Sequence, residues 1–150
     1  MKNITNFFQI TDSIATSGQP SKEQFALIKQ AGYHSVINLA MPDSDHSIPD
    51  EGQLVTLQGM NYFHLPVPFD APTKNHLTIF AQLVSSLEKS EHNKIWIHCV
   101  VNARVSAFMF QYLTQIKHCS TEESESPILK KWKLNMDDTW KDFLSIKLEL

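Results

Sequence analysis

Residues 95–106 read IWIHCVVNARVS. An apolar run delivers a His-Cys pair, His98 and Cys99, into a short loop, and Arg104 then opens a stretch with helical periodicity. The run before Cys99 is short and continuously apolar, the pattern of a strand buried on both faces. From Arg104 onward, Val105, Met109, Tyr112, Leu113 and Ile116 recur on neighbouring faces of a helix. A strand passing directly into a helix predicts one unit of a parallel sheet, with Cys99 at the strand's carboxyl end. In such sheets ligands bind just outside that end.

Outward from this stretch the alternation repeats. Residues 7–18, FFQITDSIATSG, mix β-branched and aromatic residues and predict one or two short strands. In residues 21–32 Ser21 and Gln24 form a capping box, Phe25, Ile28 and Ala31 make an apolar stripe, and Gly32 ends the helix. Residues 34–40, HSVINLA, predict a buried strand closed by the turn-forming MPDSD. A short helix ending near Gly59 and a strand within NYFHLPVPF, its prolines toward one end, come next. Thr73 caps a helix in which Leu77, Phe80, Leu83, Val84 and Leu87 keep helical spacing.

The tail after Cys119 begins as a polar, acidic loop. Ser126-Pro127 is a cap with the favoured first-turn Pro, and Asn135, Asp137 and Asp138 open a last helix with negative charge at its N-terminus. Met136, Trp140, Phe143, Leu144 and Leu148 are positioned to dock it. The expected fold class is α/β, a central, mostly parallel sheet of four to five strands flanked by helices. Residues 1–150 are taken as one domain.

Composition narrows the partners. A chain of 150 residues with 42% hydrophobic residues can bury one substantial core, and a formal net charge of −3 gives no call for nucleic acid or an anionic membrane. The LysLysTrpLys run at residues 130–133 reads as a solvated helix face. No run approaches the ~18 apolar residues of a membrane span, and the first twenty residues lack the apolar region of a signal peptide. Two cysteines, Cys99 and Cys119, make no disulfide framework, so a reducing, cytoplasmic setting is expected. His98 has no partnered His/Cys spacing around it, and no metal site is predicted.

The loop itself has chemistry. Between a strand and a helix N-terminus the backbone N–H groups of Val100, Val101, Asn102, Ala103 and Arg104 are candidates to surround an oxyanion. The thiolate of Cys99 is the sulfur species such a field stabilises, and the Arg104 guanidinium offers a fork for two phosphoryl oxygens. His98 is read as orienting the loop through hydrogen bonds, and Ser106 as a donor to the sulfur or a capping residue.

The His-Cys pair followed by Arg resembles the signature of protein tyrosine and dual-specificity phosphatases. That signature has five residues between Cys and Arg, whereas Val100 to Ala103 supply four, and Asn102 stands where a Gly is usual. Asn is the non-Gly residue that best tolerates a left-handed backbone. SGQP at residues 17–20, the helix and strand after it, FHLPV and the Cys-x4-Arg loop together resemble the phosphatase-like domain of beta-lactamase-hydrolase-like proteins. The likeness covers residues 7–113 and leaves the tail unexplained. It implies a cysteine-dependent phosphatase of phosphate monoesters that needs no cofactor, with a phosphorylated substrate or other oxyanion as partner.

Such an enzyme needs an acid for the leaving oxygen. Asp70, in PVPFDAPT, follows a predicted strand end as the general acid does in compact dual-specificity enzymes; Asp43 and Asp45 are substitutes. Two other functions fit the same residues. A rhodanese-like sulfurtransferase also uses a short loop after its Cys, and a non-catalytic module would bind an anion without attacking it.

Overall fold

Capping side chains set the starts of five of the seven helices among the described residues. Ser21 with Gln24, Thr73 with His76, and Ser120 with Glu123 each form a reciprocal capping box. Ser126 and Asp137 accept from backbone N–H groups at the starts of two further helices. The computed structural model describes residues 1–149. The elements are β1 (Phe8–Gln9), β2 (Ile14–Ser17), α1 (Lys22–Gln30), β3 (Ser35–Asn38), α2 (Glu51–Leu57), β4 (Asn61–His64) and α3 (Lys74–Glu88). They continue with β5 (Ile95–His98), α4 (Ala103–Gln115), α5 (Thr121–Ser124), α6 (Pro127–Lys133) and α7 (Asp138–Leu144).

The strands form one five-stranded sheet in the order β1-β2-β5-β3-β4. β1 pairs antiparallel with β2, and all other pairs are parallel. The register aligns Ser17, His98, Asn38 and His64 in one row, so the carboxyl ends of four strands open onto one edge. Each strand is short, and its alternation divides the core in two. Ile95 and Ile97 of β5 and Ile37 of β3 face a cluster that includes Phe80, Phe108, Trp140 and Phe143. Trp96 and Val36 face the opposite cluster, with Phe25, Ile28 and Val55. A sheet covered on both faces explains why these strands read as continuous apolar runs.

Three expectations change in detail. Ala31 is the exposed C-cap of α1 rather than part of its buried stripe, which consists of Phe25 and Ile28. The acidic segment after Cys119 contains the one-turn helix α5, because Ser120 and Glu123 can satisfy each other's backbone N–H groups. β4 stops at His64, since Pro66 has no N–H to continue a ladder. The backbone nonetheless runs on beside β3, with Leu65 N–H donating to Asn38 O (2.9 Å) and Val67 N–H to Leu39 O (3.0 Å). No described helix is long and apolar enough to cross a membrane.

Candidate functional site

The loop after β5 is fastened by its carbonyls. Gln19 N–H donates to Val100 O at 2.9 Å, and the Asn6 amide donates to Val101 O at 2.9 Å. In a planar trans peptide the N–H points opposite to the carbonyl, so these bonds turn the N–H groups of Val101 and Asn102 the other way. Among the described residues, no acceptor is paired with the N–H of any residue from Val100 to Val105. The row of unspent donors therefore spans the predicted cradle.

Asn102 makes the turn. Its backbone is left-handed, φ 70° and ψ 7°, and it leads directly into α4. The conformation predicted for a Gly position is thus kept by Asn, at the modest cost that residue carries there. Its side-chain amide donates to Asn6 O at 2.8 Å and Thr16 Oγ1 at 3.0 Å, while its Oδ1 is buried without a partner. Asn6 and the loop thereby clasp each other.

SGQP, which offered no chemistry of its own as sequence, supports this loop from below. A Cβ on Gly18 would lie 2.3 Å from Val100 O, so only glycine permits the approach. Ser17 Oγ accepts from the Trp96 indole at 2.9 Å. The Gln19 side chain donates to Glu51 Oε1 at 2.7 Å, and Glu51 Oε2 lies 2.7 Å from His98 Nε2. His98 Nδ1 faces the Cys99 carbonyl at 3.1 Å. Since a carbonyl only accepts, Nδ1 carries a proton, and the short Nε2–carboxylate bond requires another between those two groups. His98 is fully buried and Glu51 nearly so. Burial alone would raise the Glu51 carboxyl, but the hydrogen bond and charge of His98, with Gln19 and Tyr62, outweigh it and hold the carboxyl below its ordinary value.

The catalytic candidates come from the end of β5, the first turn of α4 and the loop after β4. Cys99 is 1% exposed and packs in the cluster behind the sheet. Arg104 is 6% exposed; its guanidinium donates to Val67 O at 2.9 Å and lies 5.7 Å from the Phe69 ring centre. It therefore reaches the loop that carries Asp70, whose side chain is exposed. Asp43 and Asp45 are exposed on the loop after β3. The Ser106 hydroxyl donates to Ala103 O at 2.6 Å, within its own helix. A cleft of about 680 Å³ runs beside the loop, lined by Gln19, Pro20, Lys22, His46, Val100 and Val101 among others. Among the described residues there is no cluster of three or more His, Cys, Asp or Glu side chains able to hold a metal ion.

Glu51, Gln19 and Asn6 were not anticipated from sequence. Glu51 carried only the signal of an acidic first-turn residue, and Gly18 next to Gln19 was the one local hint of a tight backbone approach.

No family model matches the chain, and no curated protein matches it in sequence. Among solved structures, the chain is similar to a protein of Shewanella putrefaciens CN-32 described as a "putative phosphatase (DUF442)". The identity is 30% over 96% of this chain and 91% of that one, with a TM-score of 0.85. The active form of Tk-PTP shares the fold at 18% identity and TM-score 0.74, covering 93% of this chain and 94% of that one. TpbA of P. aeruginosa, solved with pTyr, shares it at 13% identity and TM-score 0.65, covering 94% and 90%. The chain belongs to the DUF442 family, and it shares its fold with Tk-PTP and TpbA.

Proposed function

We propose that this chain hydrolyses phosphate monoesters through a phosphocysteine on Cys99. The observation that carries the reading is the run of unpaired N–H groups from Val100 to Val105, held by anchored carbonyls between Cys99 and Arg104. Fixed donors aimed where charge develops supply most of the stabilisation in such transfers. Membership of a family that includes a "putative phosphatase", and a fold shared with a structure solved with pTyr, support it. The SGQP entry and the Cys-x4-Arg loop support, as a finer reading, a likeness to the phosphatase-like domains of beta-lactamase-hydrolase-like proteins.

In the first step the Cys99 thiolate attacks phosphorus, an S–P bond forms, and the ester P–O bond breaks. The leaving oxygen takes the Asp70 carboxyl proton. In the second, water attacks phosphorus and gives its proton to the Asp70 carboxylate, and the S–P bond breaks to release inorganic phosphate and the thiolate. Arg104 and the loop N–H groups of Val100, Val101, Asn102 and Ala103 hold the equatorial oxygens throughout. His98, tied to Glu51, donates to the Cys99 carbonyl and keeps it turned away from the anion. These steps use no metal or organic cofactor, and a reducing compartment suits the free thiol.

The test is phosphate release from p-nitrophenyl phosphate with Cys99→Ser as control, beside cyanide-dependent consumption of thiosulfate. Turnover abolished by C99S is expected; phosphate release that survives it rejects the covalent route. Thiosulfate consumption in its place would assign sulfur transfer. The burial of Cys99 and the bond from Arg104 to Val67 favour a second reading, an anion-binding module. It is selected if phosphate raises the melting temperature while neither substrate turns over.

A further inference from the structure

The C-terminal tail lies outside residues 7–113, which carry the motif resemblance, yet it reaches the site. Trp140 of α7 is fully buried, and its indole N–H donates to Phe69 O at 2.7 Å. That carbonyl shares its peptide with the N–H of Asp70. Because the peptide is planar, fixing the carbonyl fixes the direction in which the chain enters Asp70. The Phe69 ring itself is half exposed and lies against Trp132 of α6 (5.8 Å between centres), Trp140 (5.5 Å) and the Arg104 guanidinium (5.7 Å).

Everything else in this turn is also tied. Pro66 and Pro68 have fixed φ. Val67 donates to Leu39 O and accepts from Arg104, and Ala71 N–H closes the turn on Pro68 O at 3.1 Å. The Asp70 side chain is exposed and makes no hydrogen bond among the described residues. The arrangement is a rigid mount with one free carboxyl.

We infer that α6 and α7 are the positioning element of the Asp70 turn, with the Trp140 indole acting through the Phe69–Asp70 peptide. Trp140 is a positioning residue that touches no substrate. This inference rests on the phosphatase reading for its catalytic consequence, but not for the mechanical one. A tail that only completed the core would need Trp140 as an aromatic surface; the hydrogen bond to a site loop is the additional feature.

Trp140→Phe keeps the ring packing and removes the N–H. Hydrogen–deuterium exchange at the Ala71 amide should speed up by about fivefold, the effect of one net hydrogen bond. Hydrolysis of an alkyl phosphate, whose poor leaving group needs the acid, should fall by a similar factor, about fivefold. Hydrolysis of p-nitrophenyl phosphate should change little. In an Asp70→Asn background the W140F effect on alkyl phosphate should vanish, as expected of two residues acting in series. Phe69→Leu, at a half-exposed position that does not endanger folding, should shift exchange and leaving-group dependence in the same directions. Unchanged Ala71 exchange in W140F and F69L, or equal losses on both substrates, would overturn the inference. A wild-type protein that hydrolyses neither substrate refutes the proposed function alone, and the exchange result still decides whether Trp140 holds the turn.

Discussion

Replacing Asn102 by Gly and by Ala separates the backbone requirement of the loop from its side-chain bonds. Both variants lose the amide bonds to Asn6 O and Thr16 Oγ1, about 2 kcal/mol in all at about 1 kcal/mol each. Both also remove the buried, unpaired Oδ1, which offsets part of that loss. The difference between them is the Cβ. In the left-handed region at φ 70° it costs alanine about 1–2 kcal/mol, whereas glycine is unstrained. Glycine's freer unfolded chain takes back about 0.4–1 kcal/mol of that advantage. Asn102→Gly should therefore be the more stable of the two by about 0.5–1 kcal/mol, with both below the natural chain. Urea unfolding reads the gap, and a shift of roughly 1–4 °C in melting temperature accompanies it in a chain of this size.

The same pair reads the cradle. With Gly the turn is unstrained and phosphate should still raise the melting temperature; with Ala the strain favours flipping the peptide, and the protection should shrink. The reasoning fails if N102A equals or exceeds N102G in stability and phosphate protects both alike. The left-handed residue would then be incidental to the loop.

Gly18→Ala forces its Cβ onto Val100 O, and the carbonyl cannot retreat without losing the Gln19 bond. A stability loss of about 1–3 kcal/mol is expected, together with loss of phosphate protection; protection equal to that of the natural chain would show that the loop tolerates the shift. The Glu51 carboxyl, held below its ordinary value of 4.5 when folded, contributes stability that is complete above that value and is lost as pH falls through the lowered one. Glu51→Gln should cost about 2–3 kcal/mol at neutral pH, as expected for a hydrogen bond to a charged group. The gap to the natural chain should narrow on acidification below 4.5, as followed by urea unfolding across pH; a gap constant with pH would exclude Glu51 as the titrating group.

The order of strands and helices, the caps at Ser21, Thr73 and Ser126, and the placement of Cys99 at a strand end were all legible in the chain. Each is written in a few neighbouring residues: a periodicity, a hydroxyl or carboxylate three positions before an N–H, a proline where a ladder stops. Ala31 and the α5 turn were misjudged at helix margins, where one residue more or less decides exposure and a single capping pair decides whether a turn forms.

The contacts that make the loop a site belong to another scale. Glu51 meets His98 across 47 residues of chain, and Trp140 meets Phe69 across 71. Gly18 reads locally as a turn residue, and only the arrival of Val100 O above it reveals why no side chain fits. Arg104 was placed at the helix start by sequence, but its grip on Val67 depends on where the loop after β4 comes to rest. Sequence patterns encode which face of an element seeks burial, because that preference is a property of each segment alone. Which buried polar group meets which partner is settled only when the two layers close on the sheet and every distant donor must find an acceptor.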